Sequence, residues 1–286
     1  MHSLVVHNDD IREASAKVLA PGQVGLVSGW GVFSTLRIVS GIPFAFERHW
    51  ERMKRDAAAL RVPFPSDPDY IRSRLLRLIA ANKVGDGTAR TIVVRNRGGI
   101  WEGTPERDFD LLIFTAGLKD WGAGVKLAVQ EQARHAGSRF RGVKCLSWAF
   151  NLVMLEEAHA RGCDEALLLN ERGEVSECTS ANVFMVRDGE VLTPSLDSGC
   201  LPGVTREILL EIGPAAGIAV REETLRLEDL MTADEVFITS TTRNLLPVVS
   251  IEGHPLSHQD QVRETLEDAF ERGVDKYNES YVGNLS

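Results

Sequence analysis

The sequence lacks long apolar runs, and this excludes a protein anchored by transmembrane helices. No apolar stretch approaches the roughly 20 residues that a helix needs to cross a bilayer. Residues 1–10 contain neither a basic segment nor an apolar stretch long enough for a secretory signal. Hydrophobic residues make up 43% of the 286 residues and charged residues 26%, as is typical of soluble globular proteins. We therefore expect a cytoplasmic protein that does not act on membranes.

Basic residues are fewer than acidic ones, and lysine is the rarer of the two basic residues. The formal net charge is −9 at pH 7 and the sequence pI is about 5.4. Nucleic-acid binding usually requires a basic face, so nucleic acid is excluded as the main partner. A small anionic ligand needs only local positive charge and stays possible. If a lysine performs chemistry, there are seven candidates: Lys17, Lys54, Lys83, Lys119, Lys126, Lys144 and Lys276.

Cysteine is too sparse and too scattered to form a structural framework. The four cysteines show no CxxC spacing, which argues against both a zinc site and a set of disulfides. Reduced thiols in a cytosolic protein are the simpler interpretation. We therefore predict no metal site. The cysteines are Cys145, Cys163, Cys178 and Cys200.

Strand and helix patterns alternate on both sides of a glycine-rich stretch that lacks periodicity, residues 116–124. We predict an interdomain linker at 119–124, an N-terminal domain over 1–118 and a C-terminal domain over 125–286. Both domains mix strands and helices, which indicates an α+β protein with a cleft between its domains. The predicted strands are 31–39, 42–46, 89–95, 110–115, 125–130, 165–169, 182–186, 191–193 and 235–239. The predicted helices are 49–60, 69–82, 146–161, 204–212, 228–231 and 262–272.

Lys144 and Glu177 provide the first argument about function. A cofactor that forms a Schiff base needs an amine, and a pyridinium cofactor needs a carboxylate beside its ring nitrogen. The neighbours of Lys144 are apolar, and burial close to positive charge lowers the pKa of a lysine toward neutrality. Local sequence alone also fits a surface lysine at the start of a helix.

Three further segments have the composition of anion sites. Gly203 and Thr205 open a predicted helix, whose first N–H groups attract anions. The run Ser240-Thr241-Thr242 follows a strand, where hydroxyls and amides suit a phosphate. Arg52 lies on the predicted helix 49–60, and an arginine facing a cleft pairs with phosphate in forked geometry. Taken singly, these segments also fit a threonine cap, a polar strand exit and a solvated arginine.

Taken in order, the motifs of this chain resemble those of the class IV aminotransferase family, the fold-type IV pyridoxal-phosphate enzymes. The resemblance covers nearly the whole chain. It is carried by the segments 29–37, 49–53, Lys144, 162–166, 177–184, 193–194, 201–206 and 233–236. Many spaced motifs in the same order are a far stronger signal than any one of them.

The resemblance implies a fold, a cofactor and roles for individual residues. The fold is a small N-terminal α/β domain and a larger C-terminal domain with a β-barrel-like core, with pyridoxal 5'-phosphate between them. Family members are usually homodimers that act on small amino substrates, and the partner chain often completes the site. Lys144 matches the Schiff-base lysine and Glu177 the carboxylate that pairs with the pyridine nitrogen. The matched phosphate-binding positions are Arg52, Val204, Thr205 and Thr241, with Ser240 beside them.

The resemblance leaves two reactions open. The run from Gly29 to Arg37 matches the Gly-x-Gly-x-Phe-x-Thr-x-Arg pattern common in aminodeoxychorismate lyases, in which Thr35 would relay a proton. This favours conversion of 4-amino-4-deoxychorismate to 4-aminobenzoate and pyruvate. The alternative is a branched-chain or D-amino-acid transaminase that uses a 2-oxo acid as acceptor. A protein that binds the cofactor without turnover is a weaker alternative, because both Lys144 and Glu177 are present.

Departures from the family pattern point to candidate substrate contacts. Ser147 and Trp148 stand where the family often has asparagine and tyrosine or leucine. Trp148 would narrow the substrate pocket if it faces inward, and otherwise it packs in the core. Arg95 ends the predicted strand 89–95, and Arg97 follows it. Either arginine would bind a substrate carboxylate in forked geometry if it is not simply solvated. Thr242 is the remaining candidate, beside the predicted phosphate site.

Overall fold

The computed structural model describes residues 1–100, 102–257 and 259–283, which fall into two compact units. The first unit contains Met1–Lys119, Val143–Trp148 and the described residues from Lys276 onward, and the second contains Asp120–Gly142 and Ala149–Asp275. The predicted boundary lies at 119–124, with all of 125–286 in the second domain. The division by contacts differs, because the chain returns twice to the first unit. Lys144 belongs to the first unit for this reason.

The first unit is an antiparallel sheet with helices. Its strands are β1 (Leu4–His7), β2 (Asp10–Glu13), β3 (Gly31–Val39), β4 (Ile42–Pro43), β5 (Gly87–Arg95) and β6 (Phe109–Ala116), and its helices are α1 (Val24–Ser28), α2 (Phe46–Leu60) and α3 (Pro68–Ala81). The strand order is β2-β1-β6-β5-β3-β4. Strands β3, β5 and β6 pair over most of their length and form the centre of the sheet.

Strand β3 separates two apolar clusters because successive side chains of a strand point to opposite faces. Val32, Leu36 and Ile38 belong to the larger cluster, which includes buried residues of α2 and α3. Phe33 belongs to a smaller cluster on the other face, with residues of β5 and β6. Ser34 therefore lies on the helix-covered face, and Thr35 lies on the face of Phe33.

Helix α2 presents one apolar stripe to this sheet. Its buried residues include Phe46, His49, Trp50, Met53 and Ala57, which recur at the three- and four-residue spacing of one helix face. The stripe begins at Phe46, so the helix starts earlier than the predicted residue 49. This first turn was not predicted, because its apolar residues follow directly on those of a strand.

The second unit contains a mixed sheet. Its strands are β7 (Val125–Arg134), β8 (Glu165–Asn170), β9 (Val175–Cys178), β10 (Asn182–Arg187), β11 (Glu190–Pro194), β12 (Val220–Glu223), β13 (Glu235–Ser240), β14 (Asn244–Ile251) and β15 (His254–Pro255). The strand order is β12-β11-β10-β13-β14-β7-β8-β9, and β15 pairs with β14. The helices that begin in this unit are α4 (Ala149–Ala160), α5 (Val204–Ile212), α6 (Leu227–Met231) and α7 (Gln261–Gly283).

This second sheet curls on itself. Strand β9 ends the strand order, yet the chain passes directly from β9 into β10, and the Cys178 N–H donates to the Ala181 carbonyl at 2.8 Å. The curled sheet encloses an apolar core, beside which the rings of Phe184 and Phe237 stack at 5.2 Å. The predicted α+β class with a barrel-like core in the C-terminal part is confirmed.

Several element boundaries differ from the sequence predictions. Helix α4 begins at Ala149 rather than at residue 146, and α7 continues past residue 272 to Gly283. Helix α7 tolerates Gly273 in its interior because buried Val274 prolongs its apolar face. The strands that were not predicted are β1, β2, β9, β12, β14 and β15. Over the described residues no helix is both long enough and apolar enough to span a membrane.

Candidate active site

The segment that carries Lys144 is extended and lies alongside β3. Cys145 forms an antiparallel bridge with Val32. The Phe33 N–H donates to the Lys144 carbonyl at 3.2 Å, and the Leu146 N–H donates to the Gly31 carbonyl at 3.0 Å. These bonds hold residues 144–146 in an extended conformation, and α4 begins only at Ala149, so the predicted helix start at residue 146 is wrong. Lys144 is therefore positioned by the sheet.

Lys144 is half-buried, and its backbone is held from a second side. Its N–H donates to Asp56 Oδ2 at 3.2 Å, and the buried Asp56 is also paired with Arg55 at 2.8 Å. The Lys144 Nζ lies 4.7 Å from the centre of the Phe33 ring. Helix α2 and strand β3 thus fix the main chain on either side of the amine.

Arg52 lies in a buried polar cluster with Ser34 and His49. Arg52 Nη2 donates to Ser34 Oγ at 2.7 Å, and Ser34 Oγ lies 2.8 Å from His49 Nδ1. Burial lowers the pKa of His49 well below its usual value, and the charges of Arg52 and Lys144 lower it further. A neutral His49 accepts the Ser34 hydroxyl proton at Nδ1, which leaves the serine oxygen free to accept from Arg52. The positive charge of the cluster therefore lies on Arg52.

Thr35 and Arg90 lie on the Lys144 side of the same sheet. Thr35 pairs with Arg90 across β3 and β5, and the Arg90 guanidinium carbon lies 4.0 Å from the centre of the Phe33 ring. Burial lowers the pKa of Arg90, although an arginine stays protonated in proteins. Its Nε is buried and has no hydrogen-bond partner among the described residues. Lys144 and Arg90 thus lie over the Phe33 ring, and Thr35 lies on the same face of the sheet.

Arg90 was not among the arginines predicted from the sequence as substrate contacts, which were Arg95 and Arg97. Arg95 lies over the Trp30 ring at 4.1 Å and donates to the carbonyls of Arg61 and Arg97. Arg97 pairs with Asp108 at 3.1 Å and donates to a further carbonyl at 2.9 Å. These contacts tie Arg97 to its own loop and Arg95 to Trp30 and to the end of α2. Arg90 stands out only through its pairing with Thr35, which the sequence alone does not reveal.

Trp148 packs against the apolar cluster around Phe33. The two rings meet edge to face, with their centres 6.3 Å apart and an interplanar angle of 83°. Trp148 is half-buried and partly covers the ring over which Lys144 Nζ and Arg90 lie. The packing interpretation and the interpretation as a wall of the site are therefore compatible.

In the second unit, Glu177 is buried and held at both oxygens. Arg134 Nε donates to Oε1 at 2.9 Å, and the Leu201 N–H donates to Oε2 at 3.0 Å. Arg134 follows from no motif in the sequence, because it lies at the end of β7, far along the chain from Glu177. A charge-assisted bond and a backbone bond together orient this carboxylate.

The segment that leads into α5 is tied to the same region. Asn182 Nδ2 donates to the Leu201 carbonyl at 2.8 Å, so β10 and Glu177 both hold Leu201. Gly203 is the N-cap, and within the described chain no side chain caps the helix. A Cβ on Gly203 would lie 2.1 Å from Asn182 Oδ1, so a larger residue fits there only if Asn182 moves. The first turn of α5, which contains Val204 and Thr205, therefore has N–H groups that no side chain of the described residues caps, as an anion site requires.

Ser240, Thr241 and Thr242 form a hydroxyl-rich turn at the end of β13. Ser240 Oγ lies 3.3 Å from Thr242 Oγ1 and accepts from the Thr242 N–H at 3.4 Å. The Arg243 N–H donates to the Ser240 carbonyl at 3.2 Å and closes the turn. All three side chains are half-buried. The turn offers several donors to one anion.

The predicted cofactor fits the groups that each unit presents. The first unit supplies one amine and one buried arginine, at Lys144 and Arg52. The second supplies an oriented carboxylate at Glu177 and two donor-rich anion sites, at Thr205 and at Thr241. An uncapped helix start is a feature that a bound phosphate explains.

The four cysteines take no part in these sites. All are free thiols, as predicted. Burial and the nearby Glu177 carboxylate raise the pKa of Cys200 to about 11, so its thiol stays protonated at neutral pH.

This chain is similar to known proteins that have several different activities. The D-alanine aminotransferase of Listeria monocytogenes is 30% identical over 235 residues, which cover 80% of this chain and 81% of that protein. The aminodeoxychorismate lyase of Bacillus subtilis is 29% identical over 257 residues, which cover 87% of each chain. The branched-chain aminotransferase from Thermoproteus uzoniensis, solved with norvaline, superposes with a TM-score of 0.87 at 25% identity and covers 99% of this chain and 98% of its own.

These similarities all point to one family. The sequence profile described as amino-transferase class IV matches residues 31–251, which include all the motifs from β3 to β14. This protein therefore belongs to the class IV aminotransferase family of pyridoxal-phosphate-dependent enzymes.

Proposed function

We propose that this protein binds pyridoxal 5'-phosphate and uses it to transform a small substrate that carries an amino group and a carboxylate. Lys144 would hold the cofactor covalently through Nζ, and Glu177 would accept from its ring nitrogen. Arg52, Val204, Thr205, Ser240 and Thr241 would hold its phosphate. When bound, the cofactor supplies an electron-withdrawing ring that stabilises the negative charge left when a proton departs from the substrate.

The preferred reaction is that of 4-amino-4-deoxychorismate lyase, and one observation supports it. Thr35 lies on the face of β3 that carries Phe33, over which the Lys144 Nζ lies. A hydroxyl on the opposite face would be out of reach of that amine. Thr35 is therefore on the correct side of the sheet to exchange a proton with Lys144.

The lyase reaction requires two proton transfers and one bond cleavage. Lys144 Nζ takes the proton from the ring carbon that bears the amino group. The bond between the ring and the enolpyruvyl oxygen breaks, its electron pair stays on that oxygen, and the ring becomes aromatic. Thr35 Oγ1 then passes the proton from Lys144 to the methylene carbon of the leaving group, which gives pyruvate and 4-aminobenzoate.

Transamination is the second candidate, and the similarity of this chain to known aminotransferases favours it. The half-buried Arg90 guanidinium beside the Phe33 ring suits a substrate carboxylate in either reaction, because 4-amino-4-deoxychorismate, amino acids and 2-oxo acids all carry one. The similarity to a D-alanine aminotransferase agrees with this alternative. In this reaction Lys144 would move a proton from the α-carbon, and Thr35 would have no proton to relay.

The cofactor assignment is tested by reducing the loaded protein with borohydride and mapping the adduct. We expect a pyridoxyl group on Lys144 and none in Lys144→Ala, and an unmodified Lys144 would exclude the proposal. The reactions are separated by their products. Release of 4-aminobenzoate identifies the lyase, whereas loss of the visible absorption of the cofactor on addition of an amino acid identifies a transaminase.

The role of Thr35 is tested by comparing a substitution that removes its hydroxyl with one that keeps it. Thr35→Val removes the hydroxyl, and Thr35→Ser keeps it. For a lyase, we expect Thr35→Val to lower kcat by about 100-fold or more, the usual contribution of a positioned proton donor, while Thr35→Ser retains most activity. Equal activity of the two variants would remove the reason for preferring the lyase.

A further inference from the structure

The second unit contains a fully buried ion pair that the proposed chemistry does not use. Arg243 Nη2 lies 3.0 Å from Glu165 Oε2, and the exposed side-chain fractions are 5% and 0%. Burial lowers the pKa of Arg243, and its Nε has no hydrogen-bond partner among the described residues. A buried ion pair is weak evidence for stability, because apolar residues of the same volume often replace one without loss. This pair therefore needs another explanation.

Glu165 holds the residues that directly follow Glu177. Its Oε1 accepts from the Thr179 hydroxyl and from the Ala166 N–H, the latter at 3.0 Å, and its Oε2 accepts from Ser180 Oγ at 2.7 Å. Arg243 Nη1 also donates to Ser180 Oγ at 2.9 Å. The pair thus fixes the backbone just beyond the carboxylate assigned to the cofactor ring.

Arg243 is at the same time the residue that closes the Ser240–Thr242 turn. Its guanidinium carbon lies 3.9 Å from the centre of the Trp121 ring, and Trp121 Nε1 donates to the Thr242 carbonyl at 2.8 Å. The guanidinium is therefore held from three directions, by Glu165, Ser180 and Trp121. Neither the turn nor the strand end can shift without disturbing this ion pair.

We propose that Glu165 and Arg243 are positioning residues that set the separation between Glu177 and the Ser240–Thr242 turn. Neither would touch the cofactor. Their effect would be to keep the group for the ring nitrogen and the group for the phosphate at a fixed distance, so that one rigid ligand meets both. The inference rests on the proposed function, since it assigns these two segments to the two ends of pyridoxal phosphate.

The test compares Arg243→Lys and Ser180→Ala with Arg263→Lys, a matched control. Arg263 is also a buried arginine of the second unit, but it pairs with Glu267 on its own helix at 2.7 Å. The measured quantities are the affinities for pyridoxal phosphate and for pyridoxal, which lacks the phosphate, and the pH at which the visible absorption of the bound cofactor changes. Melting temperatures record any loss of stability separately.

For Arg243→Lys we expect the preference for pyridoxal phosphate over pyridoxal to fall by about tenfold, with a shifted pH midpoint. Ser180→Ala should shift the midpoint without removing a charge, and it decides the question if Arg243→Lys does not fold. Arg263→Lys should change only the melting temperature. Unchanged preference and midpoint in Arg243→Lys and Ser180→Ala would overturn the inference. Failure of the unmodified protein to bind pyridoxal phosphate would instead overturn the proposed function.

Discussion

His49 shows how burial and neighbouring charge determine the state of one side chain. It is buried on α2, hydrogen-bonded to Ser34, and close enough to Arg52 and Lys144 for both to lower its pKa. A protonated imidazole would add a positive charge beside Arg52. The neutral ring instead serves as an acceptor and leaves the Arg52 guanidinium to attract an anion.

The lowered pKa of His49 predicts that the protein is less stable in acid. In the unfolded chain this histidine binds a proton near its ordinary pKa of 6.5, whereas in the folded chain it does not. The free energy of unfolding should therefore fall as the pH decreases below that value, with a slope of up to about 1.4 kcal/mol per pH unit. Above it, His49 contributes no pH dependence. Urea unfolding of the unmodified protein and of His49→Gln at several pH values measures this slope.

His159 provides the control for that measurement, because it is an exposed histidine on α4. His159→Gln should leave the slope between pH 6.5 and the onset of acid unfolding as it is in the unmodified protein. If His49→Gln keeps the full slope, His49 is not the group responsible.

Arg90 is predicted to recognise the substrate carboxylate. Arg90→Gln should raise KM by about 10- to 100-fold, because a hydrogen bond to a charged group contributes about 1.5–3 kcal/mol, with little change in kcat. Arg90→Lys should recover only part of the affinity, since lysine lacks the forked geometry. Steady-state kinetics with the identified substrate measure both. Arg77→Gln, on the exposed face of α3, is the control, and a similar effect there would contradict the assignment.

Individual residues differed in how far the sequence revealed them. Lys144, Glu177 and Thr205 could be named because ordered motifs surround them. Arg90 and Arg134 could not, because their importance comes from strand pairing and from contacts between residues far apart in the chain. Local sequence carries no record of such contacts.

At the scale of secondary structure, α5 was predicted with its observed bounds and α4 was not. Helix α5 is marked by local signals, a preceding Pro-Gly and an apolar periodicity. The start of α4 depends instead on residues 144–146, which pair with β3 in an extended conformation that is incompatible with a helix. The helix therefore begins only after this pairing ends.

The start of α5 gives a prediction about one glycine. Gly203→Ala should weaken binding of pyridoxal phosphate by about tenfold or more and lower stability by about 1–3 kcal/mol, because the added Cβ collides with Asn182 Oδ1 and must displace it. Thermal unfolding and cofactor titration measure the two effects.

Gly273 is the matched control, since it lies within α7 and a Cβ there meets no atom of the described residues within 4 Å. Gly273→Ala should raise stability by about 0.5–1 kcal/mol through helix propensity and leave cofactor binding unchanged. Equal cofactor affinity of Gly203→Ala and the unmodified protein would contradict the proposed role of this helix start.

At the scale of the whole molecule, the sequence indicated two α+β parts but not the path of the chain through them. A change of composition marks a boundary near residue 119, where the first unit ends. The return of residues 143–148 to the first unit leaves no mark in composition, because it is a short pairing within otherwise ordinary sequence. The proposed cofactor lysine lies on this return segment.

The resemblance to class IV aminotransferases implies a homodimer, and we expect the surface of α4 to take part in it. This helix exposes Phe150 at 80%, Leu152 at 48% and Val153 at 51% of their surfaces, and it carries no lysine or arginine. Apolar residues grouped in this way are typical of surfaces that bind another protein. A second copy of this chain would cover them without requiring any other partner.

Light scattering coupled to gel filtration tests this expectation. The unmodified protein should have twice the chain mass of 31.5 kDa. The double substitution Phe150→Asp and Val153→Asp should shift it to a single chain, because burying two unpaired carboxylates costs more than the apolar contacts contribute. Val282→Asp, at an exposed apolar position near the end of α7, should leave the mass unchanged. A single-chain mass for the unmodified protein would contradict the homodimer, whereas a double variant that keeps twice the mass would show that the interface lies elsewhere.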